Sequence, residues 1–196
     1  MVMKPVSSFT EAIYALLNQF GDRLKIAGAP EHSVRAYVFG GCAVHLYSST
    51  RVSSDLDLEV DTVLVSSQDV VLAKRAAGKV FISVGPDSAY DILEIDQKYT
   101  SALGPVHEDF TDRAKVIEMR QGSPLVALLP APEDIALSKL DRLSEKDVAD
   151  IVALMGHPGA SWELLQKLTE EAEKYYPGIK GGLTSKLNYV IRYKRT

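Results

Sequence analysis

The chain has 196 residues, of which 46% are hydrophobic and 24% charged, with a formal net charge of -4. That mix fits one sizeable folded body, expected to bury about 70% of its unfolded surface, and excludes a disordered chain or one attracted to nucleic acid over its whole surface. The single cysteine, Cys42, excludes an internal disulfide and a thiolate metal cluster, which suits a reducing compartment, with cytoplasm as the expected location.

The first segment, "MVMKPVSSFTEAIYALLNQF", carries acids and amides within its apolar run, so neither a signal peptide nor a membrane span is expected. Ser7 or Ser8 can cap a first helix in which Ile13, Leu16, Leu17, Phe20 and Leu24 fall at helical spacing. "AYVF" (36–39) then predicts a short buried strand, "GGCAVHLYSS" a turn entering a helix, and "DLDLEV" (55–60) a second strand. Along that strand Asp55, Asp57, Glu59 and Asp61 alternate with Leu56, Leu58 and Val60, which puts four acids on one face. Such a row needs a counter-charge or water.

"SSQDVVLAKRAAG" predicts a capped helix stopped by glycine, followed by strands at "KVFISV" (79–84) and "YDILEID" (90–96). "AKVIEM" and "LVALL" predict a further strand pair turned by "QGSP", and from Pro130 onward the pattern is helical throughout. The expected fold is therefore mixed α/β: an α/β core over 1–130, and a helical C-terminal region over 131–196 packed on it. "GHPG" (156–159) reads as a turn between helices of that region. After Glu173 no acid remains, while Lys174, Lys180, Lys186, Arg192, Lys194 and Arg195 are basic, so this end is either a solvated terminus or a nucleic-acid contact.

Asp55 and Asp57, two apart on a strand, lie about 7 Å apart at the Cα level, close enough to share a Mg²⁺ ion, which would offset their repulsion. Gly40 and Gly41 stand where a strand ends and a helix begins. Glycine there lets a ligand approach the backbone, and the unpaired N–H groups of the helix suit a phosphate chain. The histidines at 32, 45, 107 and 157 lack the spacing of a zinc helix, and Cys42 reads as a small packed residue or a thiol near a helix N-terminus.

The order of Gly40-Gly41, a helix, and then R-x-S-x-D-L-D-L from Arg51 to Leu58 resembles the nucleotidyltransferase superfamily. Its pattern is a glycine followed by glycine or serine, about a dozen residues, and then D-x-D. Within it the chain looks most like the minimal nucleotidyltransferases that include the toxins of AbiE-type toxin–antitoxin systems. A second match lies in "PAPEDIALSKLDRLSEKDVADIVALM", where Glu133-Asp134, Lys139-Leu140 and Lys146-Asp147 fill that group's P-x-D…K-L and K-D elements. "HEDFTDRAKV" also resembles the segment before its last strands.

The resemblance implies a nucleotidyltransferase-type mixed sheet flanked by helices, and a Mg²⁺- or Mn²⁺-dependent transfer of a nucleotidyl group from an NTP to an RNA end or a protein hydroxyl, and the basic C-terminus places RNA, specifically tRNA, first. It implies Asp55 and Asp57 as metal ligands, and Gly40, Gly41, Arg51, Ser53 and Lys139 as nucleotide contacts. A third carboxylate is expected on a strand beside D-x-D. Asp96 is favoured for it, as metal ligand and as helper in deprotonating the acceptor, with Glu118 as rival. Lys139 stands beside the apolar stripe of Ala136, Leu140 and Leu143, so its ammonium must snorkel or meet an anion. Asp147 is either a second functional acid or a helix-start acid facing the dipole. A cognate antitoxin is the implied partner. Two other readings share the pattern: a catalytically silent module that binds protein or nucleic acid, and a metal-dependent phosphoester hydrolase.

Overall fold

The computed structural model describes Val6 and residues 8–84, 89–100 and 104–194. These form mixed α/β structure in two compact units. Ser7 and Arg195 lie outside the described residues.

The first unit contains 1–42, 52–99 and 115–129. Helix α1 (Phe9–Ile26) starts at Ser8, whose hydroxyl accepts from the Glu11 N–H. Its predicted stripe of Ile13, Leu16, Leu17, Phe20 and Leu24 is buried. Strand β1 (Val34–Val38) runs antiparallel to β3 (Leu58–Thr62) and parallel to β7 (Leu125–Leu129), which pairs in turn with β6 (Lys115–Met119). The resulting four-stranded sheet has the order β3-β1-β7-β6. A three-stranded sheet has the order β2-β5-β4, from β2 (Asp55–Leu56), β5 (Ala89–Ile95) and β4 (Lys79–Val84). Helix α3 (Ser67–Ala77) is capped by the Ser66 hydroxyl and ends at Gly78, whose φ of 79° suits glycine. Helix α1 packs on α3 and on β4, β5 and β7.

The predicted strand over 55–60 is interrupted at Asp57. Its first two residues pair with β5 in one sheet, and the residues after Asp57 pair with β1 in the other. The Asp57 carbonyl accepts from the Phe39 N–H at 2.9 Å. The alternation of buried and open side chains continues across the break, since Leu56 and Leu58 are buried while Asp55 is exposed and Asp57 half-buried.

The second unit contains 43–51, 100–114 and 130–196. Helix α2 (Gly40–Ser48) begins in the first unit and continues into this one. A short helix, α4 (Phe110–Arg113), precedes α5 (Pro132–Ser138), α6 (Glu145–Leu154), α7 (Trp162–Glu173) and α8 (Leu183–Tyr193). Apolar residues of α5 to α8, among them Ile135, Ile151, Leu165, Leu168, Leu187 and Val190, are buried. The sequence places one boundary at 130, whereas two earlier segments also join these helices. The reasons are specific bonds. Tyr47 donates to the Pro130 carbonyl at 2.8 Å, Arg113 grips Asp134 through two bonds, and His107 bonds Glu171 at 3.0 Å.

The segment around Lys139 also departs from the sequence reading. Helix α5 stops at Ser138, so Lys139 caps it, and Leu143 adopts a left-handed φ of 44° before Ser144 starts α6. Lys139 therefore belongs to a turn and not to a continuous helical stripe.

Candidate functional site

In the first unit, Gly40 opens α2 with φ of 62°, and a Cβ placed there would lie 1.7 Å from Asp57 Oδ2. The carboxylate of Asp57 thus rests against the helix start, where the peptide dipoles favour negative charge. Only a residue without a side chain leaves room for it. Gly41 follows within the helix and is buried. The Cys42 thiol, fully buried, donates to the Asp55 carbonyl at 3.3 Å, so this cysteine ties the helix to β2 and is closed to solvent.

Asp55 is exposed, and its Oδ2 accepts from the Ser54 hydroxyl at 2.9 Å. It pairs in register with Glu94 on β5, and Leu56 pairs with Ile95. Asp96 follows immediately, with its N–H bonded to the Leu56 carbonyl at 3.0 Å. The register puts Asp55 and Glu94 on one face, while Asp57 leaves that ladder and bonds Phe39. Glu118, the rival third acid, sits on β6, separated from β3 by β1 and β7. A cavity of about 510 Å³ opens against this face, lined by Asp55, Glu94 and Asp96 together with Lys74, Lys79 and Lys98. Ser53, half-buried, lines a second cavity of about 370 Å³ with Ser54 and Tyr90.

Two neighbours of the acids escape the sequence reading. Tyr99 stacks on Phe39 with ring centroids 6.0 Å apart. Burial, reinforced by the charges of Asp57 and Glu59, pushes its hydroxyl far above the ordinary tyrosine range, so it remains protonated and can only donate to an anion. Lys74 is buried and donates to the Leu58 carbonyl at 3.1 Å. Its position one turn after Val70, on the buried stripe of α3 with Ala73 and Ala77, is the signal that could have found it.

Among the described residues, no group of three or more His, Cys, Asp and Glu side chains is gathered closely enough to hold a metal ion. The donors still fit Mg²⁺. This hard ion takes oxygen ligands, and one or two carboxylates suffice when waters and substrate phosphates complete its shell. Asp55 and Asp57 would supply two such carboxylates.

In the second unit, Arg51 and Lys139 converge on a single acid that the sequence reading passed over, Asp150. Arg51 Nη1 lies 3.1 Å from both carboxylate oxygens, and Lys139 Nζ donates to Oδ2 at 2.9 Å. Lys139 therefore meets an anion of its own unit. Two cations share one carboxylate here, and among the described residues the buried Arg51 Nε–H has no hydrogen-bond partner. Removing the shared acid should be severe. Asp150→Ala would leave two cations buried side by side, and we expect a loss of about 3–5 kcal/mol, measured by chemical denaturation, with part of it recovered in the Lys139→Met/Asp150→Ala double variant.

Asp147 is buried and closes a capping box with Ser144, while Arg142 grips it at 2.8 and 2.6 Å. Burial alone would raise its pKa, but the bonds from Arg142 and Ser144 outweigh that and hold the carboxyl well below the usual carboxylate range. These contacts occupy it as a helix-start acid. A depressed folded pKa stabilises the protein above the unfolded value of 3.8, and that contribution disappears as pH falls through the folded value. Asp147→Asn should thus cost about 2–3 kcal/mol at neutral pH. In a pH series of unfolding curves, the gap between variant and parent should narrow only below pH 4 or so.

The expected site residues thus fall into two groups. Gly40, Gly41, Ser53, Asp55, Asp57 and Asp96 belong to the first unit, and Arg51, Lys139 and Asp147 to the second. A family model described as nucleotidyltransferase of unknown function (DUF6036) matches residues 28–194.

The chain belongs to that family.

The match begins after α1 and includes every one of these residues. No curated protein matches the chain. Among solved structures, the solution structure of the antibiotic-resistance factor ANT(2'')-Ia aligns with a TM-score of 0.49 and 13% identity, over 88% of this chain and 97% of that one. That likeness is too slight to carry an argument. The family's own description leaves the acceptor open, and no helix among the described residues is long and apolar enough to cross a membrane.

Proposed function

We propose that the protein is a Mg²⁺- or Mn²⁺-dependent nucleotidyltransferase that moves a nucleotidyl group from an NTP to a hydroxyl acceptor. The observation that supports this most directly is the Asp57 carboxylate seated on Gly40 at the start of α2, with the exposed Asp55 two residues before it. When bound, the divalent ion would supply charge stabilisation for the attacking and departing oxygens of an in-line displacement. Asp55 and Asp57 would hold it. Asp96, beside β2, would accept the proton of the acceptor hydroxyl as that oxygen bonds to the α-phosphorus, while the bond between α-phosphorus and bridging oxygen breaks and pyrophosphate leaves. The N–H groups at the start of α2 and the hydroxyl of Ser53 would contact phosphate oxygens. Within the second unit, Arg51 and Lys139 carry one positive charge more than Asp150 neutralises, a surplus that suits an anion.

For the acceptor we place an RNA hydroxyl first, on the basic segment after Glu173, and the resemblance to AbiE-type toxins would make an antitoxin the corresponding partner. Incubation with α-labelled NTPs, Mg²⁺ and total RNA or lysate tests the reading. Label in an RNA band is the expected result. Label in a protein band would move the acceptor class, and free labelled monophosphate would indicate a hydrolase. The silent-module reading is favoured by one observation, that Lys139 and Asp147 are both engaged within the protein. No label transfer and no Mg²⁺-dependent NTP binding in calorimetry would establish it.

A further inference from the structure

Lys74 is only 9% exposed, although it lines the cavity that Asp55 and Asp96 also line. Burying an ammonium is costly unless acceptors and anions meet it, and both are present. Among the described residues β3 is the outer strand of its sheet, so its outward carbonyls have no strand partner there. The carbonyl that Lys74 takes, at 3.1 Å, belongs to Leu58, the residue directly after Asp57. The charges of Glu59 and Asp96 act on the same ammonium and partly offset the burial that disfavours it. The lysine therefore reaches the backbone where the chain passes from one sheet to the other, close to Glu59 and Asp96, whose like charges oppose one another.

We propose that Lys74 is a positioning residue for the carboxylate row: its buried ammonium fixes the backbone beside Asp57 and supplies, in the metal-free protein, the positive charge that a divalent ion adds on binding. This rests on the nucleotidyl-transfer reading and extends it to a residue outside the D-x-D motif. Lys74 and the ion act on one set of acids, so each weakens the need for the other. Without the ammonium, the metal-free protein should suffer most and should gain most from metal.

Thermal unfolding of the full chain in EDTA and in saturating Mg²⁺ tests this with a readout independent of turnover. Lys74→Met keeps the apolar stem and removes the charge. It should melt lower than the parent in EDTA, and its Mg²⁺-induced rise in Tm should exceed the parent's by about 3 °C or more. Lys74→Arg should behave nearly as the parent, and adding Glu59→Gln to Lys74→Met should restore much of the loss in EDTA. A lysine that merely packs its stem would give a neutral or stabilised Lys74→Met, equal Mg²⁺ responses and additive effects with Glu59→Gln. Any of these overturns the proposal, as does a lack of Mg²⁺ response in both proteins. If Lys74→Met does not fold in EDTA, folding restored by Mg²⁺ supports the proposal, and no restoration counts against it. Label transfer by the parent separates the two ideas: transfer with equal Mg²⁺ responses defeats the role of Lys74 alone, and an enlarged response without transfer defeats the reaction alone.

Discussion

Asp57→Asn should lower kcat for nucleotidyl transfer by about a thousandfold or more while leaving the fold in place. Asparagine has the shape of aspartate and fits the same half-buried position, but it gives up the anionic oxygen that would bind the metal. The size of the stability change separates this from simple damage. The α2 dipole favours the Asp57 charge and Glu59 two residues on opposes it, so the effects of removing it partly cancel and the variant should melt within a few degrees of the parent. The measurement is a pair of curves, turnover against Mg²⁺ concentration and thermal unfolding in EDTA. A variant with full turnover would remove Asp57 from the chemistry.

Gly40→Ala is the second large effect, and it acts through two separable terms. The left-handed φ of 62° disfavours any side chain, at about 1–2 kcal/mol. The added Cβ would also meet Asp57 Oδ2 at 1.7 Å, so the carboxylate must swing away. We expect destabilisation of about 2–4 kcal/mol and a fall in turnover of about a hundredfold or more. Gly28→Ala supplies the control, since Gly28 also has a positive φ, of 84°, but among the described residues nothing lies within 4 Å of an added Cβ. It should show the backbone cost without the loss of activity. Equal activity losses in the two variants would mean that the contact between Gly40 and Asp57 has no part in the reaction.

The sequence makes some features plain and hides others for physical reasons. The α1 stripe, the strand over Lys79–Val84 and the glycine stop at Gly78 follow from periodicity and local backbone preference, which act within a few residues. The break at Asp57 is invisible to such patterns. Alternation records which face a side chain takes and continues unchanged when the backbone exchanges β5 for β1 as its partner. The end of α5 at Ser138 was hidden too, because the apolar spacing of Ile135, Ala136 and Leu140 continues past the point where the helical bonds stop.

Lys74 and Asp150 had a readable signal. Lys74 follows Val70 by one turn, and Asp150 stands one turn after Asp147 and one before Leu154, so both are charged residues on stripes that face inward. Such positions require an opposite charge or a hydrogen-bond partner nearby. The identity of that partner depends on segments distant in the chain, Leu58 for one and Arg51 for the other. The assignment of 100–114 to the helical unit has the same origin, since the bonds of Arg113 to Asp134 and of His107 to Glu171 leave no trace in composition.

The most direct test is diffraction from crystals grown with Mn²⁺ and a non-hydrolysable NTP analogue, with data collected at the manganese edge. An anomalous peak bonded to carboxylate oxygens of Asp55 and Asp57, with a phosphate oxygen of the analogue in the same coordination shell, is the predicted result. Bound analogue with no peak at these aspartates, or a peak held by other residues, would contradict the account.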